Sequence, residues 1–256
     1  MQFQLALVTG ASSGIGEALA RLLASKSIPL ILHGRNEEKL HALAAEFADR
    51  VSVTTIATPL ERRESLLKTI REQAPDLVIN NAGYTLYGNA GNHPTQDEMK
   101  ILEVNGAAPL EITLEAAKAL LRKKKSGIIL NVSSILGDFP SPGTSIYGAS
   151  KAFVKSFSIN LDYELAPHGI RVLVSSPGQV VTALAARAAK KERVTRKGPL
   201  LSPEFAAQQI WWQIEKQKAV HIFDWRYRWG TWITTHLLPK WFVKKVIRKW
   251  IQSREI

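Results

Sequence analysis

Tyr147 and Lys151 stand in Tyr147-Gly-Ala-Ser-Lys151, and four-residue spacing on a helix puts phenol and ammonium on one face. A nearby ammonium favours the phenolate, which draws the phenol down from its ordinary value of about 10. A phenol tuned in this way can give or take a proton at a carbonyl or alcohol oxygen. Alone, such a pair is usually surface packing. Upstream, however, lies Asn131-Val-Ser-Ser134, whose last hydroxyl can orient the same oxygen.

The elements that must position these groups follow from the hydrophobic pattern. Short apolar runs fall at Leu5–Val8, Pro29–Leu32, Val51–Ile56, Leu77–Ile79, Gly127–Val132, Ile170–Val174 and Val220–Phe223. Amphipathic helical stretches separate them: one from Gly16, then Glu37–Ala48, Arg62–Gln73, the region around Met99–Leu121, and Ala149–Glu164. Continuous apolar strands alternating with helices predict a doubly wound α/β domain with a parallel sheet of about seven strands. After about residue 185 the rhythm is lost.

The first strand ends in Thr9-Gly10-Ala-Ser12-Ser13-Gly14-Ile15-Gly16 and enters a helix directly. Glycines there let the backbone approach a pyrophosphate, whose charge the helix N-terminus holds. The second strand ends His33-Gly34-Arg35-Asn36, with no carboxylate before Glu37. An acid at that place would bond a ribose 2′-hydroxyl, whereas the planar fork of Arg35 suits a 2′-phosphate. NADP is therefore the expected cofactor. After the fourth strand, Asn80-Asn81-Ala82-Gly83 offers small residues beside the same crevice.

Taken together, these segments resemble the short-chain dehydrogenase/reductase family, in its single-domain branch. The glycine turn, Asn80–Gly83, Ser134, Tyr147-x-x-x-Lys151 and Pro177-Gly178-Gln-Val180-Val-Thr182 match in order and spacing, over roughly residues 3–225. The resemblance implies a Rossmann fold with strand order 3-2-1-4-5-6-7. It also implies roles. Tyr147 would be the general acid in carbonyl reduction, and Lys151 would tune it and bond the nicotinamide ribose. Ser134 would hold the substrate oxygen, and Asn105 would support a water relay to the lysine. Gly10, Ser12, Ser13, Gly14, Ile15, Gly16, Arg35, Asn81, Ala82, Gly83, Pro177, Gly178, Val180 and Thr182 would line the dinucleotide together with Tyr147 and Lys151. The expected substrate is a hydrophobic ketone or 3-oxoacyl-type, lipid-like molecule. The alternative is an NADPH-binding regulatory or membrane-associated scaffold protein with weak turnover. The family commonly carries an Asp after the third strand that contacts adenine; here Ile56-Ala-Thr58-Pro59-Leu60-Glu61 has none. The resemblance also implies a homodimer or homotetramer.

Composition sets the outer bounds. The chain has 256 residues, 45% of them apolar and 22% charged, which excludes a disordered chain. Zero Cys excludes disulfides, thiolate metal sites and a cysteine nucleophile, and the six His show no ligand spacing, so no metal is expected. Of the net charge of +12, a balance of +6 lies in residues 219–256, together with five of the seven Trp. There Phe242, Val243, Val246, Ile247 and Trp250 share a helical face flanked by Lys244, Lys245, Arg248 and Lys249. This pattern predicts that 239–256 is a basic amphipathic helix, lying either on an anionic membrane surface or against its own domain or a partner subunit. No recognition motif supports nucleic-acid binding. The chain thus divides into 1–225, a catalytic NADP-binding domain, and 226–256, a basic Trp-rich extension. Ala183–Ala189 and the basic 190–197 form an expected substrate cover. With no N-terminal targeting pattern, the expected location is cytoplasmic, peripheral to the inner face of a membrane.

Overall fold

The computed structural model describes residues 2–88, 91–181, 200–224, 226, 227 and 229. Seven parallel strands form one sheet: β1 Ala6–Thr9, β2 Leu30–Gly34, β3 Val53–Ala57, β4 Leu77–Asn80, β5 Gly127–Val132, β6 Ile170–Ser176 and β7 Val220–Ile222. Their order is β3-β2-β1-β4-β5-β6-β7, the order that the resemblance implies. β1, β2, β4 and β5 are buried at every position. Layers on both faces require this, and it explains why the runs read as continuous and not alternating.

Residue parity assigns the two layers. Ala6, Val8, Leu30, Leu32, Leu77 and Ile79 meet Leu19 and Leu23 of α1 (Gly14–Ser25), Leu40 and Phe47 of α2 (Glu37–Phe47), and Ile210 and Ile214. Leu7, Ile31, Ile56, Val78 and Ile129 face the other way, onto Leu66 and Ile70 of α3 (Glu64–Gln73) and Ile112 and Leu120 of α5 (Ala108–Arg122). A slip of one residue in any central strand would exchange the two sets, so packing fixes the register.

The structure departs from the expected helices in two places. The single stretch around Met99–Leu121 is α4 (Thr95–Leu102), a π-helical turn Glu103–Ala107, and then α5. Such turns interrupt helices most often at functional sites, and this one carries Asn105. The second departure is α7 (Pro203–Glu215), in the region where no helix is expected. Its start has local causes: Ser202 Oγ accepts from Phe205 N at 3.1 Å, and Pro203 takes the first turn, where no amide donor is needed.

Strand order reverses between β1 and β4, which pair with Ala6 opposite Leu77 and Val8 opposite Ile79. The loops after these two strands therefore emerge side by side. Open α/β sheets bind ligands at this switch point. α6 (Ser145–Leu165) brings Tyr147 and Lys151 to the same end. Among the described residues, no helix is long and apolar enough to cross a membrane and no His, Asp and Glu cluster could hold a metal. Thr182, the expected cover 183–197 and the expected amphipathic helix 239–256 lie outside the described residues.

Candidate active site

The crevice begins at Thr9, whose Oγ1 accepts from Asn81 N at 3.0 Å and Ala82 N at 3.1 Å. Asn81 Nδ2 returns a bond to the Thr9 carbonyl at 3.0 Å, so the glycine turn and Asn81–Gly83 are fastened together. Gly10 has φ +69°, and a Cβ there would fall 2.9 Å from Ala82 Cα. At Gly16 a Cβ would run into the Gly10 carbonyl oxygen and the Asn81 amide. Both positions are closed to side chains by backbone approach. Ser13, preceding α1, is extended and its side chain makes no cap, so the first amides of the helix keep no side-chain acceptor. An uncapped N-terminus above a glycine turn fits a pyrophosphate. Ser12 Oγ lies against Gly34, where a Cβ would come within 2.9 Å, and Ile15 packs on the core behind the turn. Arg35 follows Gly34 and is exposed.

Where the family Asp would stand, Thr58 Oγ1 approaches His33 Nε2 at 3.4 Å. Glu61 then follows on a 3-10 turn, Leu60–Arg62, and its Oε1 pairs with Lys100 Nζ at 2.8 Å. Lys100 lies 5.8 Å from the centre of the Tyr84 ring. Tyr84 and this ion pair are functional candidates that sequence reasoning missed. Their signal is long-range, since Glu61 and Lys100 meet only because the loops after β3 and β4 adjoin.

At the other end, Ser134 closes β5 and its Oγ accepts from Leu136 N at 3.2 Å. The Ser134 hydroxyl neighbours the Tyr147 phenol and favours its ionised form. Lys151 is buried, donates from Nζ to the Val132 carbonyl at 2.9 Å, and lies 5.7 Å from the centre of the Tyr147 ring. Gly137 lets α6 come this close, because a Cβ there would stand 2.7 Å from Ala152 N. Part of the Tyr147 side chain stays exposed, yet burial of its phenol pushes it up to about 12, against a smaller downward pull from Ser134. Burial also pushes the Lys151 ammonium down to about 8. The expected lowering of the phenol by the ammonium does not emerge: desolvation governs both groups, and the phenol goes up where the Tyr–Lys spacing had implied down.

Asn105 is fully buried. Its Oδ1 accepts from Tyr84 N at 2.8 Å, while Nδ2 donates to the Tyr84 carbonyl at 2.7 Å and to Ser150 Oγ at 3.3 Å. Ser150 Oγ in turn donates to the Tyr147 carbonyl at 2.7 Å. The amide therefore ties the loop after β4 to α6 and makes no direct bond to Lys151. Beneath lies a second polar ladder. Asn80 Nδ2 donates to Asn131 Oδ1 at 2.8 Å, and Asn131 Nδ2 to Ser158 Oγ at 2.9 Å, joining β4, β5 and α6. Asn80 Oδ1 finds no partner among the described residues, but the bonds that are made tie the three elements into one arrangement.

After β6, the Pro177 carbonyl accepts from Ile135 N at 3.2 Å, which places Pro177 and Gly178 next to Ser134. The Tyr227 ring covers Gly178 so closely that a Cβ would fall 2.7 Å from it. Val180 pairs with Leu201 in an isolated bridge, so the chain on either side of 182–199 is held together. Tyr87, whose phenol neighbours that of Tyr147, is held by two clamps: Gly88 N donates to the Gly143 carbonyl at 3.0 Å, and the Tyr87 carbonyl lies 2.8 Å from His93 Nε2. Neither Tyr87 nor Tyr227 was expected at the site.

The chain is similar to known proteins in sequence and in fold. The short chain dehydrogenase family model matches residues 4–193. An oxidoreductase of Staphylococcus aureus (strain N315) is 33% identical over 223 residues, covering 86% of this chain and 94% of its own. A short-chain dehydrogenase from Sphingobium yanoikuyae in complex with NADPH is 27% identical, with a TM-score of 0.78 over 98% of this chain and 95% of that one. A bulky-bulky ketone specific alcohol dehydrogenase from Comamonas testosteroni is 25% identical, with a TM-score of 0.77 over 99% of this chain and 95% of that one. The chain belongs to the short-chain dehydrogenase/reductase family. It is an oxidoreductase of that family.

Proposed function

We propose that the protein reduces the carbonyl group of a hydrophobic ketone or 3-oxoacyl-type substrate with NADPH, with Tyr147 as the general acid. The observation that carries this reading is the Tyr147 phenol beside the buried Ser134, one helical turn before a buried Lys151. At about 12, the phenol keeps its proton throughout the neutral range, the state that carbonyl reduction needs. Ser134 and Tyr147 present two hydroxyls to one substrate oxygen. Bound nicotinamide supplies the hydride, and the chain supplies position and proton. As Tyr147 gives up its proton, the phenolate would develop near the Lys151 ammonium, whose charge favours it. Arg35 would take the 2′-phosphate, Gly10 to Gly16 would hold the pyrophosphate, Asn81 to Gly83 the adenine ribose side, and Val180 with Thr182 the carboxamide.

The relatives that support this reading are the NADPH-complexed dehydrogenase and the ketone-specific enzyme. The same reading keeps 1–225 as the catalytic unit, with 226–256 as an extension toward an anionic membrane surface. Assembly as a homodimer or homotetramer would use α4 to α6, where Met99, Leu102 and Phe153 are exposed. A panel of hydrophobic ketones and 3-oxoacyl thioesters, followed by NADPH oxidation, tests the activity. Tyr147→Phe should lower turnover about a hundredfold or more while leaving NADPH binding intact. Binding without turnover across the panel would instead leave a scaffold protein.

A further inference from the structure

Arg35, Glu61 and Lys100 come from three separate elements, and the β2–β3 pairing of Gly34 with Ala57 brings Arg35, just past β2, to the same sheet end as the 3-10 turn that carries Glu61, which Lys100 of α4 meets. Lys100 Nζ is 2.8 Å from Glu61 Oε1. The charge of Arg35 acts on Glu61 as well, and the two cations help hold this carboxyl below its usual range against the opposing effect of burial. Lys100 is steadied by the Tyr84 ring at 5.8 Å, and Asn105 fixes the Tyr84 backbone in both directions. The ion pair is therefore placed, although both partners reach solvent.

This arrangement poses an electrostatic problem for the reading of Arg35 as a phosphate ligand. A 2′-phosphate seated on Arg35 would bring close to two negative charges near the Glu61 carboxylate. Glu61 with Arg35 alone is a neutral pair, poorly suited to a phosphate and able to accept a bond from an unmodified ribose hydroxyl. With Lys100 added, the three side chains carry a net +1.

We propose that Glu61 and Lys100 set the cofactor specificity of the enzyme as an opposed pair: Lys100 neutralises Glu61, which leaves the charge of Arg35 available for the 2′-phosphate. The proposal rests on the NADP reading of Arg35 and adds two specificity-determining residues to it. Glu61 is then the group that keeps binding of non-phosphorylated dinucleotide within reach, and Lys100 the group that suppresses it.

The test is a double-mutant cycle read as the ratio of NADH to NADPH dissociation constants, titrated by cofactor fluorescence at low and at high salt. Lys100→Met should lower the preference for NADPH by about three- to tenfold, the effect of one charge at several ångströms near a protein surface. Glu61→Gln should raise it by a similar factor. The double variant should return towards wild type, and the shifts should shrink at high salt. Unchanged ratios in both single variants, or shifts in the same direction, overturn the proposal. Arg35→Ala separates the two layers of the argument. Its loss of NADPH preference with silent Glu61 and Lys100 variants removes this inference alone, whereas an unchanged ratio in Arg35→Ala removes the cofactor reading beneath it.

Discussion

Lys151 Nζ lies 5.7 Å from the centre of the Tyr147 ring, and its hydrogen bond goes to the Val132 carbonyl. Burial dominates both groups, pushing the phenol to about 12 and the ammonium to about 8. Carbonyl reduction through this pair needs the phenol protonated and the ammonium charged. The rate should therefore be steady near neutrality and fall as pH rises through about 8, where Lys151 loses its proton. Lys151→Arg keeps the charge and should shift the fall upward, while Lys151→Met should remove the inflection and lower kcat/KM by about a hundredfold. A pH series of kcat/KM for the three proteins decides it.

Gly16 is closed to any side chain by the Gly10 carbonyl and the Asn81 amide. Gly16→Ala should force the turn away from Asn81, destabilising the fold by roughly 1–3 kcal/mol through overpacking. It should also weaken dinucleotide binding more than a stability loss alone explains, because the turn that moves is the one proposed to hold the pyrophosphate. Thermal unfolding with and without NADPH measures the two effects separately.

His33 gives an acid limit to stability. It is buried, its Nδ1 finds no partner among the described residues, and burial holds its pKa down at about 4, with a smaller upward pull from Thr58. The unfolded chain binds this proton near the ordinary value of 6.5 and the folded chain does not. Stability from this group is thus present above about 6.5 and is lost as pH falls towards 4, by up to roughly 3 kcal/mol. Chemical denaturation at a series of acid pH values should show His33→Gln with a shallower decline than the parent.

Asn105 satisfies the Tyr84 amide and carbonyl in the protein interior. Asn105→Ala leaves both without their partner and should cost about 2–4 kcal/mol, more than a surface amide would. It also releases Ser150, which holds the Tyr147 carbonyl, so kcat should fall with little change in NADPH affinity. Urea unfolding and steady-state kinetics on the same variant check the two halves.

The sheet was legible because strands buried on both faces write continuous apolar runs, as in Leu5–Val8 and Gly127–Val132. The site's core was legible for a related reason. A glycine turn, a Ser and a Tyr–Lys pair each sit within or just beyond one element. What escaped the reading depends on the third dimension. The π-turn at Asn105 has no periodic signature of its own, because its residues continue a helical pattern. Glu61 with Lys100, and Tyr227 with Gly178, meet across 39 and 49 positions of chain. The start of α7 was written locally in Ser202-Pro203-Glu204, but the preceding segment lacks apolar rhythm and hid it. The phenol's upward shift reflects enclosure, which spacing along a helix cannot reveal.

The Tyr227 ring over Gly178 has a practical corollary for anyone trimming the basic extension. A stop placed directly after the last strand, at residue 224, would strip an aromatic cover from the turn beside Ser134. Loss of activity in such a short version would say nothing about membranes. Cuts intended to isolate the role of 239–256 should leave Tyr227 in place, so that catalysis and attachment can be scored independently.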